Sequence, residues 1–123
     1  MKLAVNLVLG LNRAVLAEGL AFARRCGLDL DAVLQILKAS AAYSRVMDAK
    51  GRKMIDQEFS PEAKLAQHLK DVKLILHEGE SSQATLPFTT LHARLLAQLA
   101  ERGLGECDNS AVIRAFEHEG DGS

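Results

Sequence analysis

KLAVNLVLGLNRAVLAEGLAFARR, residues 2–25, decides how the rest of the chain is read. Its apolar residues recur at helical spacing, and Gly27 follows where a left-handed stop is expected. At about 1.5 Å per residue such a helix runs roughly 36 Å, longer than a simple four-helix bundle of this size needs. Leu3, Val5, Leu7, Val8, Leu11, Val15, Leu20 and Phe22 point in nearly every direction around it, which predicts neighbours on several sides and a central post. Asn6, Asn12 and Arg13 interrupt the apolar stretch, and it runs on at helical period without a cleavage boundary. It therefore reads as a helix of the fold, neither leader nor membrane span.

The other segments are helical in character too. The 123 residues are 48% hydrophobic and only 4% aromatic, with two prolines and no stretch of strict alternation. Asp29 or Asp31 caps a short second helix through Val33, Leu34, Ile36 and Leu37. Ser40 to Ser44 is a break, and a third helix carries Val46, Met47, Met54 and Ile55 to about Gln57, with Gly51 inside it. Ser60-Pro61 is a start signal for a fourth helix striped by Leu65, Leu69, Val72 and Leu76. Gly79 to Thr85 reads as a polar loop, and Pro87 opens a fifth helix that Gly103 and Gly105 end. Asp108 caps a last short helix with Val112, Ile113 and Phe116. The expected architecture is all-α: about six helices around a long N-terminal one, in a single domain over residues 1–118 with a frayed tail at 119–123.

Bulk properties narrow the function classes. A formal net charge of −1 gives no basic excess for nucleic acid or an anionic membrane. Cys26 and Cys107 are too few and too far apart for a disulfide framework or a zinc knuckle, so free thiols in a reducing cytoplasm are expected. The four histidines do not fall at metal-ligand spacing, and His68, His92 and His118 read as isolated residues in ordinary surface or partly packed positions. Neither GxGxxG nor GxxxxGK[ST] occurs, so any dinucleotide must rest mainly on something outside these residues.

Lys2 and Asn6 stack one turn apart on one helix face, with Arg13 close to the same face. A lysine able to protonate or polarise an oxygen, beside an amide that holds the same substrate, is one reading. A solvated first turn is the other, and spacing alone favours it. Lys70 and Asp71 point about 100° apart on a helix and cannot share one face; a solvated edge explains them as well.

Taken in order, Lys2-x-x-x-Asn6, Ala17-Glu18-Gly19, Cys26-Gly27-Leu28, Phe59-Ser60-Pro61, Lys70-Asp71-Val72, Leu86-Pro87 and Asp108-Asn109-Ser110-Ala111-Val112 resemble one family over residues 2–118. It is the C-terminal helical domain of the β-hydroxyacid dehydrogenases, which include 3-hydroxyisobutyrate dehydrogenase, tartronate semialdehyde reductase and the glyoxylate/succinic semialdehyde reductases. The resemblance implies the 6-phosphogluconate dehydrogenase C-terminal-like fold. It also implies an N-terminal Rossmann domain, outside this chain, that binds NAD or NADP, with the active site in the cleft between the two. Lys2 then matches the catalytic lysine and Asn6 the substrate-orienting asparagine. Lys70 matches the lysine on the cofactor side, and Asp71 its orienting neighbour. No metal is implied. The expected partners are a small hydroxy acid or aldehyde acid, the chain's own Rossmann domain and a second copy in a homodimer or higher oligomer. The 123 residues alone are expected to be inactive. Val5 departs from the family's paired asparagines, and Ala63 stands where several relatives carry an aromatic side chain. The alternative is a non-catalytic helical interaction module derived from the same family.

Overall fold

The computed structural model describes residues 1–117; the expected tail at 119–123 and His118 lie outside them. Five α-helices follow in order: α1 (Lys2–Arg25), α2 (Leu30–Lys38), α3 (Val46–Asp56), α4 (Leu65–Ser82) and α5 (Pro87–Leu99). A π-helical turn, Ala100–Leu104, and a 3₁₀ helix, Asn109–Phe116, complete the chain. No strand occurs among the described residues, so the all-α expectation holds.

α1 is the central post, touching α2, α3, α4, α5 and the 3₁₀ helix. Leu16, Ala17, Leu20 and Ala21 meet Leu34, Met54, Leu65, Val72, Leu96, Leu99 and Ile113 in one core. Gly27 ends the helix at φ 77°, as expected. By length and composition alone this helix could also cross a bilayer; its contacts with the other major elements cover part of its apolar surface. The expectation of burial all round needs correcting, because one apolar stripe of the helix is left uncovered by its companions. Val8, Val15 and Phe22, seven residues apart, remain 55%, 66% and 70% exposed. Phe88 and Leu91 on α5 are exposed as well.

Two boundaries differ from the sequence reading, each for a tertiary reason. α4 begins at Leu65 rather than at Ser60-Pro61. Residues 62–63 form a bend held by Glu62 and Ala63, which donate backbone N–H groups to the Asp108 carboxylate, and Lys64 is extended. The free N–H groups of Leu65 and Ala66 then donate to the carbonyls of Cys107 and Gly105 at 2.8 Å. α4 also runs through Gly79 to Ser82 instead of stopping at Gly79. A Cβ on Gly79 would lie 2.6 Å from Leu86 Cδ1, so this glycine admits the leucine that closes the α4–α5 turn. Gly51 serves α3 in the same way, since a Cβ there would meet Leu34 Cδ1 at 2.8 Å. Asp29 caps α2 by accepting from Asp31 N, and Asp108 caps the 3₁₀ helix by accepting from Ser110 N.

Candidate active site

The polar face of α1 sets the site. Asn6, Leu9 and Arg13 recur at helical spacing and line one wall of a cleft of about 170 Å³. α4 supplies the opposite wall through Lys64, Gln67, His68 and Asp71, and Asn109 completes the lining. The cleft therefore sits where α1, α4 and the start of the 3₁₀ helix converge, a placement that the Asp108 hub enforces.

The four residues singled out from sequence fall in three places. Asn6 and Asp71, both half-buried, share the cleft. Asp71 Oδ1 accepts from Gln67 Nε2 at 3.3 Å, which fixes the carboxylate along the α4 wall. Lys70 is exposed and lines a neighbouring shallow groove with Gln67, Asp71, Lys73 and Leu74, so Asp71 borders both depressions and, against the expectation from the helical turn, meets Lys70 in one groove. Lys2 is exposed in the first turn of α1, one turn before Asn6 along the same stripe.

One cluster went unread in the sequence. Arg13 Nη1 lies 3.4 Å from His68 Nε2, and the His68 and His92 rings are 5.2 Å apart between centroids and tilted by 54°. Burial, then the neighbouring Arg13 charge, then His92 push His68 down to about 3. Burial and Arg13 push His92 down to about 4. Both rings are neutral at physiological pH, so His68 Nε2 accepts from the guanidinium, which can only donate. Burial lowers Arg13 from its ordinary value, and the Asp108 charge raises it in part. Among the described residues no group of three or more His, Cys, Asp or Glu could hold a metal ion.

The available signal for this cluster was Gly10, a glycine in the middle of a long apolar helix. A Cβ there would lie 2.7 Å from His68 Cε1 and 3.4 Å from His92 Cε1. Gly10→Ala is expected to lower stability by about 1 kcal/mol net, because overpacking outweighs the better helix propensity of alanine. Thermal unfolding checks this, and the penalty should vanish in a His68→Ala background, where the collision is gone. An equal penalty in both backgrounds would exclude the ring contact as its cause.

A helical domain built on one long post, with a cleft of amide, carboxylate and guanidinium groups along that post, is the class of structure these features define. Residues 1–116 match the family model described as NAD-binding of NADP-dependent 3-hydroxyisobutyrate dehydrogenase, and the chain belongs to that family. It is 34% identical over 116 residues to 2-hydroxy-3-oxopropionate reductase of Escherichia coli K12, covering 94% of this chain and 40% of that protein. It is 35% identical to the cytokine-like nuclear factor N-PAC of Aedes aegypti, covering 94% of this chain and 21% of that protein. The solved 3-hydroxyisobutyrate dehydrogenase of Salmonella typhimurium superposes with a TM-score of 0.90 at 25% identity, over 94% of this chain and 40% of that one. The chain thus spans less than half the length of these relatives.

Proposed function

We propose that this domain supplies the substrate side of an NAD(P)-dependent oxidoreductase that interconverts small 3-hydroxy acids and aldehyde acids. The observation that carries the reading is the cleft that Asn6, Leu9 and Arg13 line along α1, beginning one turn beyond the exposed Lys2, in a chain whose family match covers residues 1–116. The dinucleotide would rest mainly on a Rossmann domain outside these 123 residues. The exposed Lys70 and Lys73 ammonium groups around their groove are of the right charge for its phosphates. The bound cofactor supplies or accepts the hydride.

In this reading Lys2 holds the proton at the substrate oxygen, giving it to a carbonyl or taking it from a hydroxyl. Asn6 hydrogen-bonds the same substrate and orients it. Asp71, fixed by Gln67, orients rather than transfers. Lys2 is exposed in this domain alone, so the companion domain supplies the cover that excludes water. The exposed stripe of Val8, Val15 and Phe22, with Phe88 and Leu91, is the face for a second copy. A cytoplasmic setting fits the two free cysteines.

Similarity to a nuclear factor favours a second reading, a non-catalytic interaction module. The two are separated by following NADH and NADPH consumption by the full-length protein over a panel of short aldehyde acids. Turnover that rises with an aldehyde acid and saturates is the expected result. No turnover with any member and either cofactor would favour the module.

A further inference from the structure

Arg13 is the residue the family reading leaves without a task. Its guanidinium is partly buried, and among the described residues its hydrogen-bond partner is a neutral ring, His68. No carboxylate among the described residues pairs with it; Asp108 acts on it only at longer range. A cation withdrawn from water without a counter-charge costs stability, and a ligand anion would supply what the fold withholds. Arg13 Nε is buried and has no partner.

A second, independent observation points into the same cleft. Asn109 is 5% exposed, and its buried Oδ1 has no hydrogen-bond partner. Backbone geometry fixes the residue there: its N–H donates to Ala63 O at 2.8 Å, beside the Asp108 hub. An unmet amide oxygen is an acceptor for a hydroxyl, while the guanidinium is a paired donor for a carboxylate. Lys64 also lines the cleft but is engaged by Glu106 at 2.8 Å.

We propose that Arg13 and Asn109 form a distal subsite that binds a carboxylate, and a hydroxyl near it, several bonds away from the group that reacts beside Lys2 and Asn6. This rests on the proposed oxidoreductase reading and sharpens it: the favoured substrates are acids with a second anionic end. Asn6 and Arg13 are seven residues apart, roughly 10 Å along the helix axis, and the arginine side chain leans back towards Asn6. A ligand with its reacting carbon at Asn6 and its far carboxylate at Arg13 is therefore a short dicarboxylate rather than a two-carbon acid. The Asp71 carboxylate on the same cleft repels an anion placed away from the guanidinium, which sets the ligand's direction.

The test uses full-length protein saturated with cofactor and two arms. In the first, calorimetry measures the binding of glutarate, butyrate and inorganic phosphate. Glutarate should bind at least tenfold more tightly than butyrate, and Arg13→Gln should erase that preference while Arg13→Lys retains part of it. Equal affinity for glutarate and butyrate, preference for phosphate, or a glutarate preference that survives Arg13→Gln would each overturn the subsite. Circular dichroism of the variants excludes unfolding as the cause, and a misfolded Arg13→Gln hands the decision to Arg13→Lys and Asn109→Ala. In the second arm, turnover is measured with an aldehyde acid that carries a second carboxylate. Glutarate binding with no turnover would overturn the oxidoreductase reading and leave the subsite standing; turnover without any glutarate preference would do the reverse.

Discussion

Lys2→Ala in the full-length protein is expected, on the oxidoreductase reading proposed above, to lower kcat by roughly 10²–10⁴-fold, the range for removing a positioned proton donor. On that reading cofactor affinity should change little, because the cofactor groove is the one that Lys70 and Lys73 line and Lys2 is not part of it. Stability should move by less than about 0.5 kcal/mol, since Lys2 is exposed in a first helical turn and touches none of the core. That separation makes the variant informative: a large kinetic effect cannot be charged to a damaged fold. Steady-state rates with saturating cofactor, together with a denaturation curve, provide the check. A rate within threefold of wild type would remove Lys2 from the mechanism and return it to the solvated first turn that its spacing allows. Asn6→Ala should instead raise KM more than it lowers kcat, because an orienting amide binds ground state and transition state alike.

How far the sequence carried depends on the range of the interaction involved. Helix α1, the Asp29 cap, the Pro87 start and the left-handed Gly27 rest on neighbours a few residues away, and all stand where local chemistry puts them. The start of α4 does not. Ser60-Pro61 is a sound local signal, but Asp108, some 45 residues on, captures Glu62 N and Ala63 N first. Gly79 looked like a loop because the Leu86 side chain that needs its missing Cβ lies beyond the reach of periodicity. The candidate site divides in the same way. Lys2, Asn6, Lys70 and Asp71 were legible only through a family resemblance, and their spacing alone favoured ordinary surface positions. The Arg13–His68–His92 cluster joins α1, α4 and α5 across 55 residues and more, and no local pattern records such a meeting. Gly10 was its one trace in sequence, a gap left for two rings.

Asp108→Ala is expected to be the most destabilising single change in the domain, at about 3–5 kcal/mol. The side chain is fully buried and receives six contacts. Lys50 Nζ lies 3.1 Å from both oxygens. Glu62 N and Ala63 N donate to Oδ1 at 2.9 and 3.1 Å, and Ser110 donates to Oδ2 from N at 3.0 Å and from Oγ at 2.6 Å. Burial opposes the charge, and the donors from Ser110, Glu62 and Ala63 overcome it, holding the carboxyl well below the usual carboxylate range. Removing the aspartate leaves the buried Lys50 ammonium with only the Glu62 carboxylate among the described residues, at 3.7 Å, and frees backbone donors at two helix starts together. Lys50→Met should cost less, because Asp108 keeps four donors when the lysine goes. Against a typical domain stability of about 5–15 kcal/mol, Asp108→Ala leaves little margin. The sign of the pH dependence follows from the lowered carboxyl: its stabilisation is complete above the ordinary aspartate value near 4 and is lost as pH falls towards the lower folded value. Urea unfolding from pH 7 to pH 3 should show that acid limb in the wild type and a shallower one in Asp108→Asn. A cost for Asp108→Ala within 1 kcal/mol of zero would dissolve the hub. The same measurement bears on the site, since Asp108 holds the backbone that places Asn109 in the cleft. Asp108→Asn protein that stays folded should therefore bind glutarate more weakly even though residue 108 is not among the side chains that line that cleft.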